Sequence, residues 1–172
     1  LQSGSDKILK LMNRKYDKKY FIDKIEEIRK IRPLISITTD VIVGFPGETE
    51  ELFNETLETV KKIRFSKIHV FPYSPREGTK STLMNGQVDE VTKKKRVKVL
   101  IELSKELEIE YMDKFIGESL EFIPEVERDG YLFGHTGNYL YIKTKGCKEL
   151  LHQSIMVKIE STNYPYSIGE II

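Results

Sequence analysis

The sequence predicts two regions of different fold class, an α/β region with parallel strands followed by a small all-β barrel. A strand pattern at 35–43, a helical pattern at 49–64 and a second strand pattern at 67–73 follow the order of a βαβ crossover. From residue 115 onward, short β-rich runs alternate with glycine-containing turns and no long helical pattern occurs. We therefore expect one domain over residues 1–114 and a second over 115–172.

The helices before the first strand are predicted from caps and apolar spacing. Ser5 precedes an acid at Asp6 and suits an N-cap, so a short helix is expected to Met12. A second, amphipathic helix is expected to end at Pro33, because the residue before a proline disfavours the α conformation. Its apolar residues recur at helical spacing: Phe21, Ile25, Ile28 and Ile31.

The strands of the α/β region are predicted from β-branched residues. The run 35–43 ends in apolar residues, which favours a strand covered on both faces. The following helix, 49–64, has one apolar stripe and acids in its first turn. After the second strand, a loop at 74–84 leads to a long helix at 88–112.

The all-β region is predicted to contain five short strands in about sixty residues, which fit a small antiparallel barrel. The β-rich runs are 120–126, 131–134, 139–143 and 155–159.

Composition excludes several classes of protein. The 172 residues carry a net charge of +1, and no apolar run approaches the roughly 20 residues that a membrane-spanning helix needs. One cysteine, Cys147, cannot form an intramolecular disulfide or a multi-thiolate metal site, so we expect a reducing, cytoplasmic location. Because the chain opens on Leu1 and not on Met, we expect a piece of a longer protein.

Candidate ligand residues follow strand ends, where α/β sheets bind ligands. They lie in the segments 1–5, 40–48 and 71–79. Glu48 can accept hydrogen bonds from a ribose or an amine, although the alternative is a tight turn. Asp40 sits among apolar neighbours, where a carboxylate is costly unless paired. Arg14 suits an anion, with a solvated helix-end cation as the commoner alternative.

Other chemistry-bearing residues carry weaker predictions. His69, His135 and His152 have no second ligand at metal-binding spacing, so no metal site is expected. The basic run 93–96 is expected on the solvent side of a helix, with RNA contact as the less favoured alternative. No catalytic residue can be assigned.

Four segments in order resemble the radical S-adenosylmethionine (SAM) methylthiotransferases: residues 1–5, 12–16, 39–49 and 71–79. Within this family, Asn13 and the run 69–76 are most similar to the enzymes of threonylcarbamoyladenosine in tRNA. Residues 134–139 stand at the glycine, threonine, asparagine and tyrosine motif of the family's TRAM domain. The resemblance covers essentially the whole chain.

The resemblance implies the later half of a partial, TIM-like (β/α) radical SAM barrel, followed by a TRAM (OB-like) RNA-binding barrel. The family uses SAM and two 4Fe-4S clusters to install a methylthio group at C2 of an adenine next to the tRNA anticodon. The cluster cysteines are missing here, so this chain is expected to bind no cluster and to be inactive alone. Its partners would be the tRNA anticodon loop and the missing amino-terminal half.

The resemblance also implies two sets of contact residues. The expected SAM pocket contains Gln2, Ser3, Arg14, Asp40, Gly44, Glu48, Phe71 and Tyr73. Substrate contacts are expected from Arg76 and, on the barrel, from His135, Asn138, Tyr139 and Lys143. The net charge of −3 over residues 115–172 counts against RNA binding driven by charge alone.

Several alternatives remain at this point. Within the family, the target is isopentenyladenosine in tRNA or a ribosomal protein. Outside it, the chain is a stand-alone RNA-binding module. A further alternative is an artefactual homodimer, formed through the sheet edge that an incomplete barrel leaves exposed.

Overall fold

The computed structural model describes all 172 residues, which divide into two compact units, Leu1–Leu107 and Glu108–Ile172. The division lies seven residues before the boundary expected from the sequence, because the last turns of a long helix belong to the second unit. The mixed α/β architecture is confirmed. No helix combines the length and the apolar character needed to span a membrane.

The first unit contains three helices, two strands and most of a fourth helix. Its elements are α1 (Asp6–Leu11), α2 (Lys18–Ile31), β1 (Thr38–Val43), α3 (Glu50–Ile63), β2 (Lys67–Pro72), a 3-10 turn (Lys80–Leu83) and α4 (Glu90–Asp113). The predicted βαβ crossover is confirmed, because β1 and β2 pair in parallel with Asp40 opposite His69. Buried side chains from β1, α3 and α4 form its main core, including Val41, Val60 and Leu100.

Local caps explain where the helices begin and end. The Asp17 carboxylate accepts a hydrogen bond from the Tyr20 amide at 2.7 Å and begins α2. Thr49 caps α3 in the same way through the Leu52 amide, and Arg64 ends α3 in the left-handed conformation. Ser5 occupies the N-cap position of α1, but its hydroxyl makes no capping bond.

The prediction that β1 is covered on both faces is wrong. Thr39, Val41 and Val43 are buried, whereas Thr38 and Asp40 are exposed on the opposite face. The reason is that helices cover only one side of the β1–β2 sheet in this chain, so the side chains alternate between core and solvent. The apolar stripe of α2 is likewise only partly buried, with Ile28 and Ile31 exposed.

The outer edge of β2 is covered at one point by α4. The Ser104 hydroxyl accepts a hydrogen bond from the Ile68 amide at 3.0 Å and donates to the Ile68 carbonyl at 3.3 Å. A second copy pairing along this edge would have to displace that contact.

The second unit is a closed five-stranded barrel. Its strands are β3 (Ser119–Arg128), β4 (Tyr131–Thr136), β5 (Tyr141–Lys145), β6 (Ile155–Asn163) and β7 (Tyr166–Ile171), in the order β3-β4-β5-β7-β6. The barrel is not wholly antiparallel as predicted, because β5 and β7 pair in parallel. The predicted run 139–143 begins too early, since Tyr139 lies in a left-handed turn. Strand β7 was absent from the predicted runs.

Barrel closure depends on bulges and close backbone approach. The register shifts between Pro124 and Val126 and again between Ile159 and Ser161, which bends the two longest strands. Gly134 is required on β4, because a Cβ there would collide with the Ile123 carbonyl oxygen. The core inside the barrel includes Phe122, Leu132, Ile142, Val157 and Ile159.

Candidate functional site

A cleft of about 490 Å³ lies at the carboxyl ends of β1 and β2. This volume falls within the roughly 300–1,000 Å³ that is usual for small-molecule sites. Five of the predicted ligand residues line it: Gln2, Asp40, Phe71, Tyr73 and Arg76. The carboxyl end of the parallel strands is therefore the place where the structure brings these residues together.

Gln2 reaches the cleft because it pairs with β1. Its amide donates to the Asp40 carbonyl at 2.8 Å, and its carbonyl accepts from the Ile42 amide at 2.9 Å. Its backbone adopts a left-handed φ of 70°, which is rare for a residue other than glycine. The segment before α1 thus adds a short third element to the β1–β2 sheet.

The cleft combines aromatic surface with polar groups. Phe71 is 49% exposed, although it lies on a strand. Tyr73 is buried against Phe45, with ring centroids 5.1 Å apart, and its hydroxyl has no hydrogen-bond partner. The Asp40 carboxylate and the Arg76 guanidinium are exposed. An unpartnered buried hydroxyl in a cleft is costly without a ligand or a water molecule, so it supports a polar ligand here.

Glu48 lies outside the residues that line the cleft and forms a buried ion pair. Its Oε2 accepts from the Arg96 guanidinium at 2.8 Å and from the Gly44 amide at 2.6 Å. Burial raises the pKa of Glu48 above its ordinary value, while the Gly44 amide and Arg96 act in the opposite direction. The pair ties the turn after β1 to α4.

The expectation that the basic run 93–96 faces solvent is wrong for two of its four residues. Lys93 and Arg96 are buried, whereas Lys94 and Lys95 are exposed. The residues at i and i+3 share one helix face, and here that face packs on the turn after β1. The Lys93 stem runs over Gly44, where a Cβ would lie 2.5 Å from Lys93 Cγ, and its Nζ contacts Glu90 at 2.8 Å.

The other predicted cofactor residues also lie outside the cleft lining. Ser3 is buried, and its hydroxyl lies 3.2 Å from the Thr56 hydroxyl on α3. Arg14 is exposed beyond the end of α1. Ser3 therefore has packing and hydrogen bonds of its own in the first unit.

The predicted RNA contacts gather around the β4–β5 turn of the barrel. Tyr139 is 80% exposed, and the His135 ring stacks on Tyr141 at 4.7 Å between centroids. His135 Nδ1 lies 2.8 Å from the Glu125 carboxylate. Asn138 accepts from the Thr136 hydroxyl at 2.6 Å, so it also shapes the turn. Lys143 lies farther along β5.

Sequence reasoning missed four aromatic residues beside these contacts: Tyr131, Phe133, Tyr141 and Tyr166. All four are half-buried on the outside of the barrel. Tyr131, Phe133 and His135 alternate at positions i, i+2 and i+4 of β4, which is the signal that could have identified one face of a strand.

No group of three or more His, Cys, Asp or Glu side chains in the chain is arranged to hold a metal ion. The single cysteine, Cys147, is exposed before a short 3-10 turn at Lys148–Leu150.

Comparison with known proteins identifies relatives of the whole chain. Residues 1–60 match the radical SAM superfamily. The threonylcarbamoyladenosine tRNA methylthiotransferase MtaB of Bacillus subtilis (strain 168) is 44% identical, covering 100% of this chain and 39% of the relative. MtaB of Thermotoga maritima is 42% identical over 92% of this chain and 37% of its own length. The tRNA-2-methylthio-N(6)-dimethylallyladenosine synthase of Endomicrobium trichonymphae is 39% identical, with coverages of 100% and 41%. The chain thus spans about two fifths of these relatives.

Proposed function

We propose that the chain belongs to the radical SAM methylthiotransferases and is the carboxyl-terminal part of a tRNA-modifying enzyme. The proposed reaction installs a methylthio group at C2 of threonylcarbamoyladenosine next to the anticodon. The observation that carries this proposal is the cleft at the carboxyl ends of β1 and β2, in which predicted cofactor and substrate residues meet. In this proposal residues 1–114 are the later part of the radical SAM barrel and 115–172 are the TRAM domain.

The residues of the cleft fit SAM. The Phe71 ring offers a flat apolar surface for adenine, and the buried Tyr73 hydroxyl offers a donor and an acceptor without an internal partner. The Asp40 carboxylate and the Gln2 side chain suit ribose hydroxyls or the ammonium group. When bound beside an iron-sulfur cluster, SAM supplies the 5′-deoxyadenosyl radical of this chemistry.

Ser3, Gly44 and Glu48 support the cleft from outside in this proposal. The Glu48–Arg96 pair fixes the turn after β1, whose Phe45 packs against Tyr73. Arg14 is proposed to approach the ligand from the end of α1. The cluster ligands must come from other parts of the protein, since this chain has a single cysteine. We therefore propose that the chain alone is inactive.

Arg76 favours threonylcarbamoyladenosine over the second candidate substrate, isopentenyladenosine, which is also called dimethylallyladenosine. The threonylcarbamoyl group carries a carboxylate, which a guanidinium binds with good geometry. A dimethylallyl group is apolar and offers no partner to a charge at the edge of the cleft. Arg76 lines the cleft together with Thr79 and Ser81, so this edge is polar.

The barrel is proposed to hold the anticodon region of the tRNA. His135, Asn138 and Tyr139 surround the turn of the β4–β5 hairpin, and Lys143 lies farther along β5; an unpaired loop could be contacted here by stacking and hydrogen bonds. A stand-alone RNA-binding module remains the alternative from a different class.

The test is to produce the longer protein anaerobically, reconstitute its clusters with iron and sulfide, and incubate it with SAM, dithionite as the electron donor, and tRNA that carries threonylcarbamoyladenosine or isopentenyladenosine without the methylthio group. Mass spectrometry of the digested tRNA then reports which adenosine gained a methylthio group. We expect the gain on threonylcarbamoyladenosine. A gain on isopentenyladenosine transfers the assignment to the second candidate, and no gain from a cluster-loaded protein overturns the tRNA reaction.

Two variants connect the result to this chain. Asp40→Asn is expected to raise the KM for SAM, and Arg76→Gln is expected to lower kcat/KM for threonylcarbamoyl-containing tRNA only. Glu58→Gln serves as the matched control, because Glu58 is exposed on α3 and does not line the cleft. Equal kinetics for Asp40→Asn and the control would contradict the assigned role of the cleft.

A further inference from the structure

Lys93, on the first turn of α4, is a buried lysine to which the proposed function assigns no role. Only 3% of its side chain is exposed, and its Nζ lies 5.4 Å from the ring centroid of Tyr73, which lines the cleft. We propose that Lys93 is a positioning residue, whose ammonium group holds the Tyr73 ring in the orientation that receives SAM. This inference rests on the proposed function, because it concerns the same cleft and the same ligand.

The Lys93 side chain reaches Tyr73 across a glycine in the turn after β1. Gly44 has a left-handed φ of 74°, and a Cβ on it would lie 2.5 Å from Lys93 Cγ. Any other residue at this position would therefore strain the backbone and push the lysine stem aside. Gly44 thus provides the path of the lysine as well as the turn.

The ammonium group of Lys93 is only partly compensated by an acid. Its Nζ contacts the Glu90 carboxylate at 2.8 Å, but 74% of the Glu90 side chain is exposed. A hydrated carboxylate attracts a charge more weakly than a buried one does. The face of an aromatic ring is electron-rich and attracts a cation that lies within about 6 Å of its centroid. The buried Tyr73 ring therefore supplies a second attraction for the ammonium group.

Two neighbours define how the Tyr73 side chain lies. Its amide donates to the Val43 carbonyl at 2.8 Å, which fixes the backbone directly after β2. The Phe45 ring packs against it edge-on, at an interplanar angle of 71°. A cation over the ring adds a restraint on its tilt. If the ammonium group were removed, the ligand would have to order the ring on binding, which costs affinity.

A stabilising role alone does not explain a charge at position 93. An unbranched apolar side chain such as methionine would fill the same path over Gly44. Replacing a buried ion by an apolar group of similar volume is often neutral or stabilising. Lys93→Met leaves behind Glu90, which is exposed to water. By contrast, removal of Arg96, one turn later on α4, would leave the buried Glu48 carboxylate without its partner.

The test measures the affinity of the longer protein for SAM. Its clusters are reconstituted anaerobically and no reductant is added, so that SAM binds without being cleaved. Equilibrium dialysis with radiolabelled SAM gives the Kd, and thermal unfolding followed by circular dichroism gives the stability of each variant. Dithionite and tRNA are then added to the same preparations, and the rate of methylthiolation at varied SAM concentration gives kcat and KM separately.

We expect Lys93→Met to weaken SAM binding about fivefold, in line with the strength of a desolvated cation–π contact. The KM for SAM should rise by a similar factor, with kcat and the unfolding temperature unchanged. Lys93→Arg keeps a cation and should retain most of the affinity. The matched control is Lys94→Met, which removes a charge from the adjacent, exposed position of α4 and should leave Kd and KM unchanged.

Changes at Tyr73 separate an effect through the ring from a direct contact with the ligand. Tyr73→Phe keeps the ring, so the addition of Lys93→Met should again weaken binding about fivefold. Tyr73→Leu removes the ring, so the addition of Lys93→Met should cause no further loss. An equal further loss in both backgrounds would overturn the proposal, because Lys93 would then act without the ring. If Tyr73→Leu fails to fold, the comparison of Lys93→Met with Lys93→Arg still decides.

The outcomes separate this inference from the proposed function. An unchanged Kd in folded Lys93→Met, with tRNA modified by the parent protein, overturns the role of Lys93 and leaves the proposed function standing. Weaker binding that appears only together with a lower unfolding temperature shows a structural role and also overturns it. The expected pattern of Kd values without any methylthiolation supports the role of Lys93 but overturns the tRNA reaction. No binding of SAM by the parent protein overturns both.

Discussion

The β1–β2 sheet and the second-unit barrel differ in how they treat their edges and faces. In the first unit, two strands and Gln2 form an open sheet with one face covered by helices and the other carrying Asp40 and Phe71. In the second unit, five strands close on themselves and every strand has two neighbours. The open sheet leaves polar side chains gathered at its carboxyl end, whereas the barrel carries Tyr131, Phe133, Tyr141 and Tyr166 on its outside.

The difference teaches where a ligand can be held in each unit. A parallel sheet collects loops at one end, so the cleft brings together residues that are far apart in sequence, such as Gln2 and Arg76. A small closed barrel has its interior filled, so its contacts must lie on its outer surface or its turns. The first unit therefore has a concave cleft suited to a small molecule, and the second unit offers a broad outer surface suited to a polymer.

The largest expected effect tests whether each unit depends on its own core. Phe65 and Phe122 are both fully buried, one in each unit. Either Phe→Ala change should cost about 3–5 kcal/mol of unfolding free energy through lost burial and a cavity. Hydrogen exchange should show faster exchange mainly in amides of the altered unit. Equal acceleration in both units after either change would contradict the separation of the cores.

The second-largest expected effect on stability concerns the buried Glu48–Arg96 ion pair, and this effect depends on pH. Removing one partner with Arg96→Met should cost about 3–5 kcal/mol at neutral pH, because Glu48 would remain buried and charged. Burial raises the folded-state pKa of Glu48 above its ordinary value of 4.5. The contribution of Glu48 to the free energy of unfolding is therefore fully present below pH 4.5, and it declines as pH rises through the folded-state pKa.

Arg96 lowers the pKa of Glu48, so Arg96→Met should make this decline with rising pH larger. Urea unfolding at a series of pH values measures it, with Glu48→Gln/Arg96→Met as the control that lacks the titrating group. A decline of the same size in the single and double variants would show that Glu48 is not its source.

The smallest effect concerns a helix cap in the first unit. Asp17→Ala removes the side-chain acceptor for the Tyr20 amide and should lower the free energy of unfolding by about 1 kcal/mol. Asp17→Asn keeps an acceptor and should recover most of the loss. Thermal unfolding followed by circular dichroism measures both, and exchange in the barrel amides should be unaffected. A loss in Asp17→Asn equal to that in Asp17→Ala would contradict the capping role.

Much of the fold could be predicted because it depends on local patterns. Helix α3 was predicted from its acidic first turn and its apolar stripe, and the structure gives the same element. The parallel pairing of β1 and β2 followed from the strand, helix, strand order. The parallel contact of β5 with β7 could not be predicted, since it joins strands that are distant along the chain.

Part of the candidate site was predictable for the same reason. Asp40 lies in β1, Phe71 lies in β2 and Tyr73 directly follows β2; because the two strands are parallel neighbours that end at one edge, the meeting of these residues in the cleft follows from position. Glu48 has the same kind of position but faces Arg96, a residue 48 positions later in the chain. Spacing around Glu48 contains no information about that partner.

The sequence by itself determined the order of elements, the parallel crossover, the change to short strands after α4 and the family motifs. Only the tertiary structure decided that Lys93 and Arg96 are buried, that one face of β1 is open, and that rings from β4, β5 and β7 meet on the barrel. The physical reason is the distance along the chain over which each effect acts. Propensities, caps and periodicity act within one or two turns of the chain, whereas burial and ring contact depend on which distant element packs alongside.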